Sequence, residues 1–307
     1  MEYKILMDFL EKHGVKPELL KGVEDFRKEH GVEEKYQVRI PNPRYKYYGR
    51  EIWNKVITGV LEGQHLLLSG PKATGKNVLC ENLALLFGRP QWNVSLNVTT
   101  DSAGLIGADT FAGGEVRLRP GPIYLAAEKG GFAILDEINM AKNEALSVIH
   151  SALDYRRILD VPGYHLLPLH EATRFIGTMN YGYIGTRELN EALVSRFLVI
   201  DMPTISPEDF KEILEEETTL KDEYIKLFVR LFLDLQEKSL HSEISSKPID
   251  LRGLMAAIQL MKRGLSIGQS LDMGMVDKSF DSYEKEIVRD IIDTLIPKDL
   301  DAKELFK

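Results

Sequence analysis

Gly70-Pro71-Lys72-Ala73-Thr74-Gly75-Lys76-Asn77 is the stretch that decides the fold of this 307-residue sequence. It has the spacing G-x-x-x-x-G-K, and it stands between a short apolar run, His65–Ser69, and a helical pattern from Lys76 to Phe87 that Gly88 ends. Glycines allow the backbone to curl so that successive N–H groups point at one anion, and the start of a helix adds partial positive charge. The stretch therefore predicts a phosphate-binding loop between a buried strand and a helix.

Within this loop, Lys76 is expected to reach the β and γ phosphates of a nucleotide. The next residue is normally Ser or Thr, whose hydroxyl ligates Mg²⁺, but here it is Asn77. An amide oxygen is also a hard donor, but the longer side chain predicts a changed geometry or an intervening water. This departure bears on the rate of hydrolysis more than on nucleotide binding. The residues expected to surround the phosphates are Gly70, Pro71, Lys72, Ala73, Thr74, Gly75, Lys76, Asn77 and Val78.

A second motif, Gly131-Phe132-Ala133-Ile134-Leu135-Asp136-Glu137, is an apolar strand that ends in two acids. A parallel strand delivers such residues to the carboxyl edge of the sheet, where ligands of α/β proteins bind. Asp136 is the candidate Mg²⁺ ligand, directly or through water. Glu137 is the candidate base that orients and activates an attacking water. The phosphate loop and this acidic strand end together predict a nucleotide hydrolase.

Strand and helix patterns alternate from residue 65 to residue 201. Apolar runs predict four more strands at Trp92–Leu96, Phe132–Leu135, Arg174–Thr178 and Phe197–Asp201. The fold class is therefore α/β, a P-loop NTPase core with a parallel sheet flanked by helices. After a boundary near residue 204 only helices are predicted, at about 207–216, 221–239, 249–264 and 282–295. The expected domains are a helical preface (1–38), the α/β core (39–203) and an all-helical C-terminal domain (204–307), with a charged tail, Lys298–Lys307, expected to fray.

Composition narrows the classes of partner and location. The net charge is −8 and hydrophobic residues make up 44% of the chain, which fits a globular protein and disfavours duplex DNA as the main partner. The single cysteine, Cys80, lies in an apolar context and is expected in the core. The start of the chain carries an acid and lacks the basic segment and apolar run of a secretory signal. The sequence contains no apolar stretch of about 18 residues, so no membrane span is predicted. A cytoplasmic location is expected.

The motifs occur in an order that resembles the AAA+ superfamily, and more narrowly its MoxR-like and dynein-related branch. Beside the loop and Asp136-Glu137-Ile138-Asn139, the similar text includes Met179-Asn180 and Leu105-Ile106-Gly107 followed by Pro120-Gly121-Pro122-Ile123. It also includes Glu191-Ala192-Leu193-Val194-Ser195-Arg196-Phe197, with Ser195 where the branch usually has Asp. The similarity covers about residues 48–202 and continues more loosely to about residue 265.

The resemblance implies roles for three further residues. Asn180 would be the sensor-1 residue that helps to position the water. Arg196 would be an arginine finger that reaches the γ-phosphate held by a neighbouring subunit, which raises phosphoryl transfer by roughly 10³–10⁵ in other systems. Arg252, at the start of a helix in the C-terminal lid, would be the sensor-2 arginine.

Three other segments carry alternatives. Gly107–Arg119 and Arg157–Leu169 look like the hairpin inserts of this branch, which face the ring pore or a partner protein, or they are ordinary surface hairpins. His165 and His170 lack a set of metal ligands around them and are interpreted as surface or packing residues. Tyr45–Arg50 mixes aromatic and basic residues: it either stacks single-stranded nucleic acid or, by its place before the core, supplies Tyr48 and Gly49 to the wall of an adenine pocket.

The function implied by the resemblance is an ATP- and Mg²⁺-dependent homo-oligomeric ring, with hexamers usual in the family. Such a ring remodels a protein client, often one with a von Willebrand A domain. Two alternatives stay open. Asn77 motivates a nucleotide-binding switch with little or no hydrolysis, and the tyrosine and arginine run motivates a nucleic-acid motor similar to the restriction-associated GTPases of the same branch.

Overall fold

Five parallel strands form the sheet on which residues 1–203 are built. The computed structural model describes residues 1–181, 188–297 and 300–307. The chain divides into two compact units, Met1–Pro203 and Thr204–Lys307. The elements of the first unit are α1 (Tyr3–Lys12), α2 (Pro17–Glu29), α3 (Glu34–Gln37), α4 (Arg50–Leu61), β1 (Leu66–Gly70), α5 (Lys76–Phe87), β2 (Gln91–Ser95), α6 (Ser102–Ile106), β3 (Gly107–Ala112), β4 (Glu115–Pro120), α7 (Pro122–Glu128), β5 (Phe132–Asp136), α8 (Asn143–Leu146), α9 (His150–Leu153), β6 (Ile158–Asp160), β7 (Leu166–Pro168), β8 (Arg174–Asn180), α10 (Glu191–Val194) and β9 (Leu198–Asp201).

The strands of the sheet lie in the order β2-β5-β8-β1-β9, and each neighbouring pair is parallel. Every residue of β1 is buried, as its three consecutive leucines indicate. The last residue of β1, Gly70, has no room for a side chain, because an added Cβ would lie 2.5 Å from the carbonyl oxygen of Met202. The predicted P-loop α/β fold is confirmed. The predicted strands are all present, with ends shifted by at most two residues.

The N-terminal helices pack against the core and belong to the same compact unit. Phe26 of α2 meets Phe87 of α5 edge to face, with ring centroids 5.1 Å apart. Beside this contact lies Arg89, a fully buried arginine. Its guanidinium donates to the carbonyl oxygens of Gly130, at 2.7 Å, and His30, at 2.6 Å. It therefore ties the end of α2 to the turn before β5.

Two hairpins project from the core. In the first, β3 pairs with β4 and the turn consists of Gly113 and Gly114, both with positive φ, as a two-residue type I′ turn requires. Its base is closed tightly, because a Cβ at Gly121 would lie 2.5 Å from the carbonyl oxygen of Leu105. In the second, β6 pairs with β7. The Tyr164 hydroxyl in the second hairpin donates to Asp109 Oδ1 in the first at 2.7 Å, so the two hairpins are joined.

The second unit is helical, as predicted. Its helices are α11 (Pro207–Glu217), α12 (Asp222–Leu240), α13 (Leu251–Lys262), α14 (Ile267–Gly274) and α15 (Ser282–Leu295). Their buried faces share a core that includes Phe210, Phe228 and Phe232. The short α14 was not predicted from the sequence. It begins at the N-cap Ser266, whose hydroxyl accepts from the Gln269 N–H.

The expectation that the charged C-terminal tail frays is wrong for residues 300–307. Ala302 and Leu305 are buried in the helical core. Phe306 forms a bridge with Leu220, and the Lys307 N–H donates to the Thr219 carbonyl at 2.8 Å. Ala302 and Leu305 are three residues apart, so both face the helical core, and their burial orders this segment although the residues around them are charged. Residues 298–299 lie outside the described part of the tail.

Among the residues that the structure describes, no helix is both long enough and apolar enough to cross a bilayer.

The buried arginine generates the first prediction. Arg89→Met keeps much of the side-chain length but leaves carbonyl oxygens such as those of Gly130 and His30 buried without a donor. We expect the free energy of unfolding to fall by roughly 2–4 kcal/mol. Urea denaturation followed by circular dichroism measures this loss. The control is Arg44→Met, the same exchange at an exposed arginine, which is expected to change stability by less than about 0.5 kcal/mol. Equal stabilities of the two variants would contradict the role of Arg89 as a clamp.

Candidate functional site

Three adjacent strands end side by side at the carboxyl edge of the sheet with residues of the predicted site. Gly70 ends β1, Asp136 ends β5 and Asn180 ends β8. The pairing of Gly70 with Asn180, and of Leu135 with Gly177, sets these ends side by side. The sequence suggested that Asn180 lies just beyond its strand, but it is the last residue of that strand. The edge has the place that parallel α/β sheets use to bind ligands.

The loop after β1 curls through two residues with positive φ. Ala73 has φ +62° and Gly75 has φ +80°. Two features favour glycine at position 75. One is its positive φ, and the other is the ring of Tyr47, which would lie 3.1 Å from an added Cβ. The loop then leads directly into α5, whose first residue is Lys76. The predicted phosphate cradle therefore has the curled backbone and the helix start that the motif requires.

Lys76 is buried and its ammonium group is held by the loop itself. Its Nζ donates to the carbonyl oxygens of Gly70, at 3.0 Å, and Pro71, at 2.7 Å, and to Thr74 Oγ1, at 3.1 Å. Burial lowers the pKa of Lys76 to about 8, and the nearby Asp136 carboxylate offsets part of that effect. The loop carbonyls thus supply acceptors that the phosphate oxygens of a nucleotide would replace.

Asp136 has a hydrogen-bond donor on each carboxylate oxygen. The Thr178 hydroxyl donates to Oδ1 at 2.5 Å, and the Asn77 side-chain amide donates to Oδ2 at 3.3 Å. The same Thr178 oxygen accepts the N–H of Glu137 at 3.2 Å. Thr178 therefore orients both predicted acidic residues, and the sequence interpretation missed it. Its position two residues before Asn180 places both side chains on one face of β8, and this periodicity was the available signal.

Glu137 follows the strand in a left-handed conformation, with φ +54°. Such a conformation is unfavourable for a residue with a Cβ, and residues that adopt it cluster at functional sites. Its side chain is exposed, whereas the next residues, Ile138 and Asn139, are buried. The Asn139 amide donates to the Asn180 carbonyl at 3.0 Å. The turn thus holds an exposed carboxylate at the end of β5 and is itself anchored to β8.

The donor chemistry at this edge fits Mg²⁺, which prefers oxygen ligands and commonly uses one or two carboxylates together with phosphates. Asp136 lies beside both the loop and Asn77, and a carboxylate retains acceptor capacity beyond its two present hydrogen bonds. Asp136 would hold the ion. Asn77, also predicted as a ligand, turns its amide nitrogen and not its oxygen towards Asp136.

Arg196 lies far from this edge in its own chain. It precedes β9, whose first residue, Leu198, pairs with Leu66 at the amino end of β1. Gly70 is four residues further along β1, which corresponds to about 13 Å at 3.3 Å per residue. The guanidinium instead lies beside Asp154, with Nη2 3.8 Å from Oδ2. The structure therefore does not bring Arg196 together with its own phosphate loop.

Tyr48 and Gly49, the residues predicted for the wall of an adenine pocket, lie just before α4. The Tyr48 ring is buried against α1, 5.1 Å from Phe9 and 5.8 Å from His13 between ring centroids. Gly49 has φ +129° and is the N-cap of α4. The neighbouring Tyr47, not singled out from the sequence, is the ring that contacts the loop at Gly75. Because Tyr47 and Tyr48 are both buried, they offer no exposed platform for stacking nucleic-acid bases.

The remaining candidates lie elsewhere. Val78 is half-buried in the first turn of α5. Arg252 is exposed in the first turn of α13, in the second unit, and its N–H donates to the N-cap Asp250. His165 Nε2 lies 3.3 Å from the Tyr124 hydroxyl, and His170 Nδ1 accepts the Ala172 N–H at 3.1 Å. Both histidines thus make packing and turn contacts.

Comparisons with known proteins agree with this geometry. Residues 65–197 match the sequence model of the AAA domain of the dynein-related subfamily. The chain is 32% identical to the uncharacterized protein YojN of Bacillus subtilis over 87% of this chain and 90% of that protein. It is 30% identical to the uncharacterized protein SH1500 of Staphylococcus haemolyticus over 75% of this chain and 90% of that protein.

A solved structure of a candidate ATPase from Cytophaga hutchinsonii aligns with 95% of this chain and 97% of its own, at 14% identity and a TM-score of 0.43. That similarity is too low to support an argument about function. The family match covers the loop, Asp136-Glu137, Asn180 and Arg196, and the relatives extend over most of the chain. The chain belongs to the AAA+ ATPases, in the dynein-related subfamily.

Proposed function

We propose that this chain is a MoxR-like, Mg²⁺-dependent ATP hydrolase that works as a ring and remodels a protein partner. The observation that carries the proposal is the separation of its catalytic groups. Lys76, Asp136 and Glu137 lie at the carboxyl edge of the sheet, and Arg196 lies at the amino edge. A single chain therefore holds a nucleotide site without its arginine, and a neighbouring copy would complete the site.

The groups at the carboxyl edge divide the work of phosphoryl transfer. The curled backbone of the loop and Lys76 bind the β and γ phosphates. Glu137 takes a proton from a water whose oxygen bonds to the γ phosphorus as the bond to the β–γ bridging oxygen breaks. The Thr178 hydroxyl oxygen accepts the N–H of Glu137 and so holds the backbone there. Asn180 lies at the end of the same strand as Thr178. Mg²⁺, when bound, neutralises charge on the β and γ phosphates.

The hairpins support the choice of a protein as the client. Near the tip of the first hairpin, Phe111 and Val116 form a cross-strand pair and are 76% and 63% exposed. Leu166 in the second hairpin is 61% exposed. Exposed apolar groups on projecting hairpins suit contact with another protein surface better than contact with a phosphate backbone. The resemblance indicates a client with a von Willebrand A domain.

ATP turnover per subunit tests the proposal. We expect Mg²⁺-dependent hydrolysis whose specific activity rises with protein concentration, because the site needs a second chain. Glu137→Gln should reduce turnover by about 10²–10⁴, and Arg196→Ala by about 10³–10⁵. The matched controls, Glu144→Gln and Arg230→Ala at exposed positions, should stay near the wild type. A different result would favour the alternative of a nucleotide switch: the protein binds nucleotide, but at no protein concentration does it show a turnover that these two variants reduce.

Mixing the two inactive variants separates an arginine supplied by a neighbour from one that acts within its own chain. A Glu137→Gln subunit retains Arg196, and an Arg196→Ala subunit retains Glu137. Where the first lies next to the second, one site receives both groups. Equal mixtures should therefore recover on the order of a tenth or more of wild-type turnover if subunits exchange, compared with the large losses in each pure variant. Recovery that never exceeds the sum of the separate activities would contradict the shared site.

The pKa of Lys76 predicts a pH dependence of nucleotide binding. Burial lowers this pKa to about 8 in the free protein, and only the charged form attracts phosphate. Affinity for ADP should therefore be nearly constant below about pH 7 and fall by up to about tenfold per pH unit above about pH 8. Calorimetry in buffers of different ionisation enthalpy should detect proton uptake at pH 8–9.

Lys76→Arg provides the comparison, because a guanidinium stays charged throughout this range. Its affinity, whatever its absolute value, should lose the decline above pH 8. An equally steep decline in both proteins would assign the effect to another group.

A further inference from the structure

The residue after the loop lysine makes the contact from which a further inference follows. Asn77 occupies the position where a hydroxyl normally ligates Mg²⁺. Its Nδ2 donates to Asp136 Oδ2 at 3.3 Å. A carboxylate only accepts hydrogen bonds, so the nitrogen end of the amide must face it and the oxygen end faces away. The atom that is able to ligate a cation is thus directed away from the carboxylate that would hold the cation.

The Asp136 carboxylate is held from two sides. Thr178 in β8 donates to Oδ1 at 2.5 Å, and Asn77 in α5 donates to Oδ2. For the Asn77 oxygen to ligate an ion beside Asp136, the amide would have to turn over and give up its hydrogen bond. A Ser or Thr hydroxyl has no such conflict, since its oxygen is able to ligate an ion while its hydrogen points to a carboxylate.

We propose that Asn77 is a positioning residue for Asp136 and not a ligand of the metal, so that this chain binds Mg²⁺ with one protein ligand fewer than a Ser or Thr in its place would allow. The inference rests on the proposed function and concerns the regulation of the same site. The remaining positions around the ion are filled by phosphate oxygens and water, as Mg²⁺ commonly retains several waters. Metal affinity therefore depends strongly on the bound nucleotide, and the site responds to the concentration of free Mg²⁺.

The test measures binding and not turnover. Wild type, Asn77→Thr and Asn77→Leu are saturated with ADP or a non-hydrolysable ATP analogue, and Mg²⁺ is titrated by calorimetry. Thr adds a ligand, and its half-saturating Mg²⁺ concentration should fall by about tenfold. Leu has nearly the same shape but cannot donate to Asp136, and its half-saturating concentration should rise by about tenfold, because the carboxylate that holds the ion is no longer oriented. The control is Asn143→Thr, the same exchange at an exposed helix start, which should behave as the wild type.

Two results would overturn the inference while nucleotide still binds. If Asn77→Leu leaves the half-saturating Mg²⁺ concentration unchanged, the amide does not position Asp136. If Asn77→Thr leaves the Mg²⁺ response unchanged, the position does not limit metal binding. A different result, in which neither nucleotide binds to any variant with or without Mg²⁺, would overturn the proposed function and this inference together. The metal-free affinity for ADP, which Asn77→Thr should leave unchanged, separates these cases.

Discussion

The hydrogen bond from the Thr178 hydroxyl to Asp136 joins the ends of two neighbouring strands, and it depends on the same strand register that brings the other groups of the site together. It requires the parallel register in which Leu135 of β5 lies opposite Gly177 of β8. One strand further along, the pairing of β8 with β1 places Gly70, and so the start of the loop, beside Asn180. A shift of one residue in either register would turn alternate side chains to the opposite face of the sheet and separate these groups.

The backbone around this bond adopts conformations that side chains ordinarily disfavour. Gly75 tolerates a positive φ without strain, but Ala73 and Glu137 do not. Each such residue raises the energy of the folded chain by about 1–3 kcal/mol and persists because its surroundings determine its conformation. For Glu137 those surroundings include Thr178, which accepts its N–H. Lys76 is buried against the Gly70 and Pro71 carbonyls, and the loss of water around its ammonium group also raises the energy of the folded chain. These unfavourable contributions to stability are concentrated where the phosphates would bind.

Motif and periodicity were sufficient to predict the sheet, the loop and the acidic pair, because these depend on short stretches with strong local signals. The sequence does not reveal features that depend on contacts between distant residues. Tyr47 and Tyr48 are adjacent and chemically alike, and only the packing of α1 decides that Tyr48 turns away while Tyr47 meets Gly75. Residues 300–307 read as a charged tail, although Leu305 completes a core assembled from helices far along the chain. The orientation of the Asn77 amide likewise depends on Asp136, which is distant in sequence, so it cannot be predicted from the loop motif.

The position of Arg196 limits the kinds of assembly that suit the proposed chemistry. Its approach to Asp154 at 3.8 Å keeps a positive charge at the amino edge of the sheet, while the acids Asp136 and Glu137 lie at the carboxyl edge. If a neighbour supplies Arg196, the contact joins the amino edge of the sheet in one copy to the carboxyl edge in the next, and a heterologous interface makes this contact once. A twofold dimer would have to make it twice across one interface, with both edges of the sheet in a single self-complementary patch. Heterologous contacts close into a ring when the rotation between neighbours divides a full turn, and otherwise they extend into a filament. In a ring of this kind, every copy would receive an arginine from one neighbour and donate one to the other.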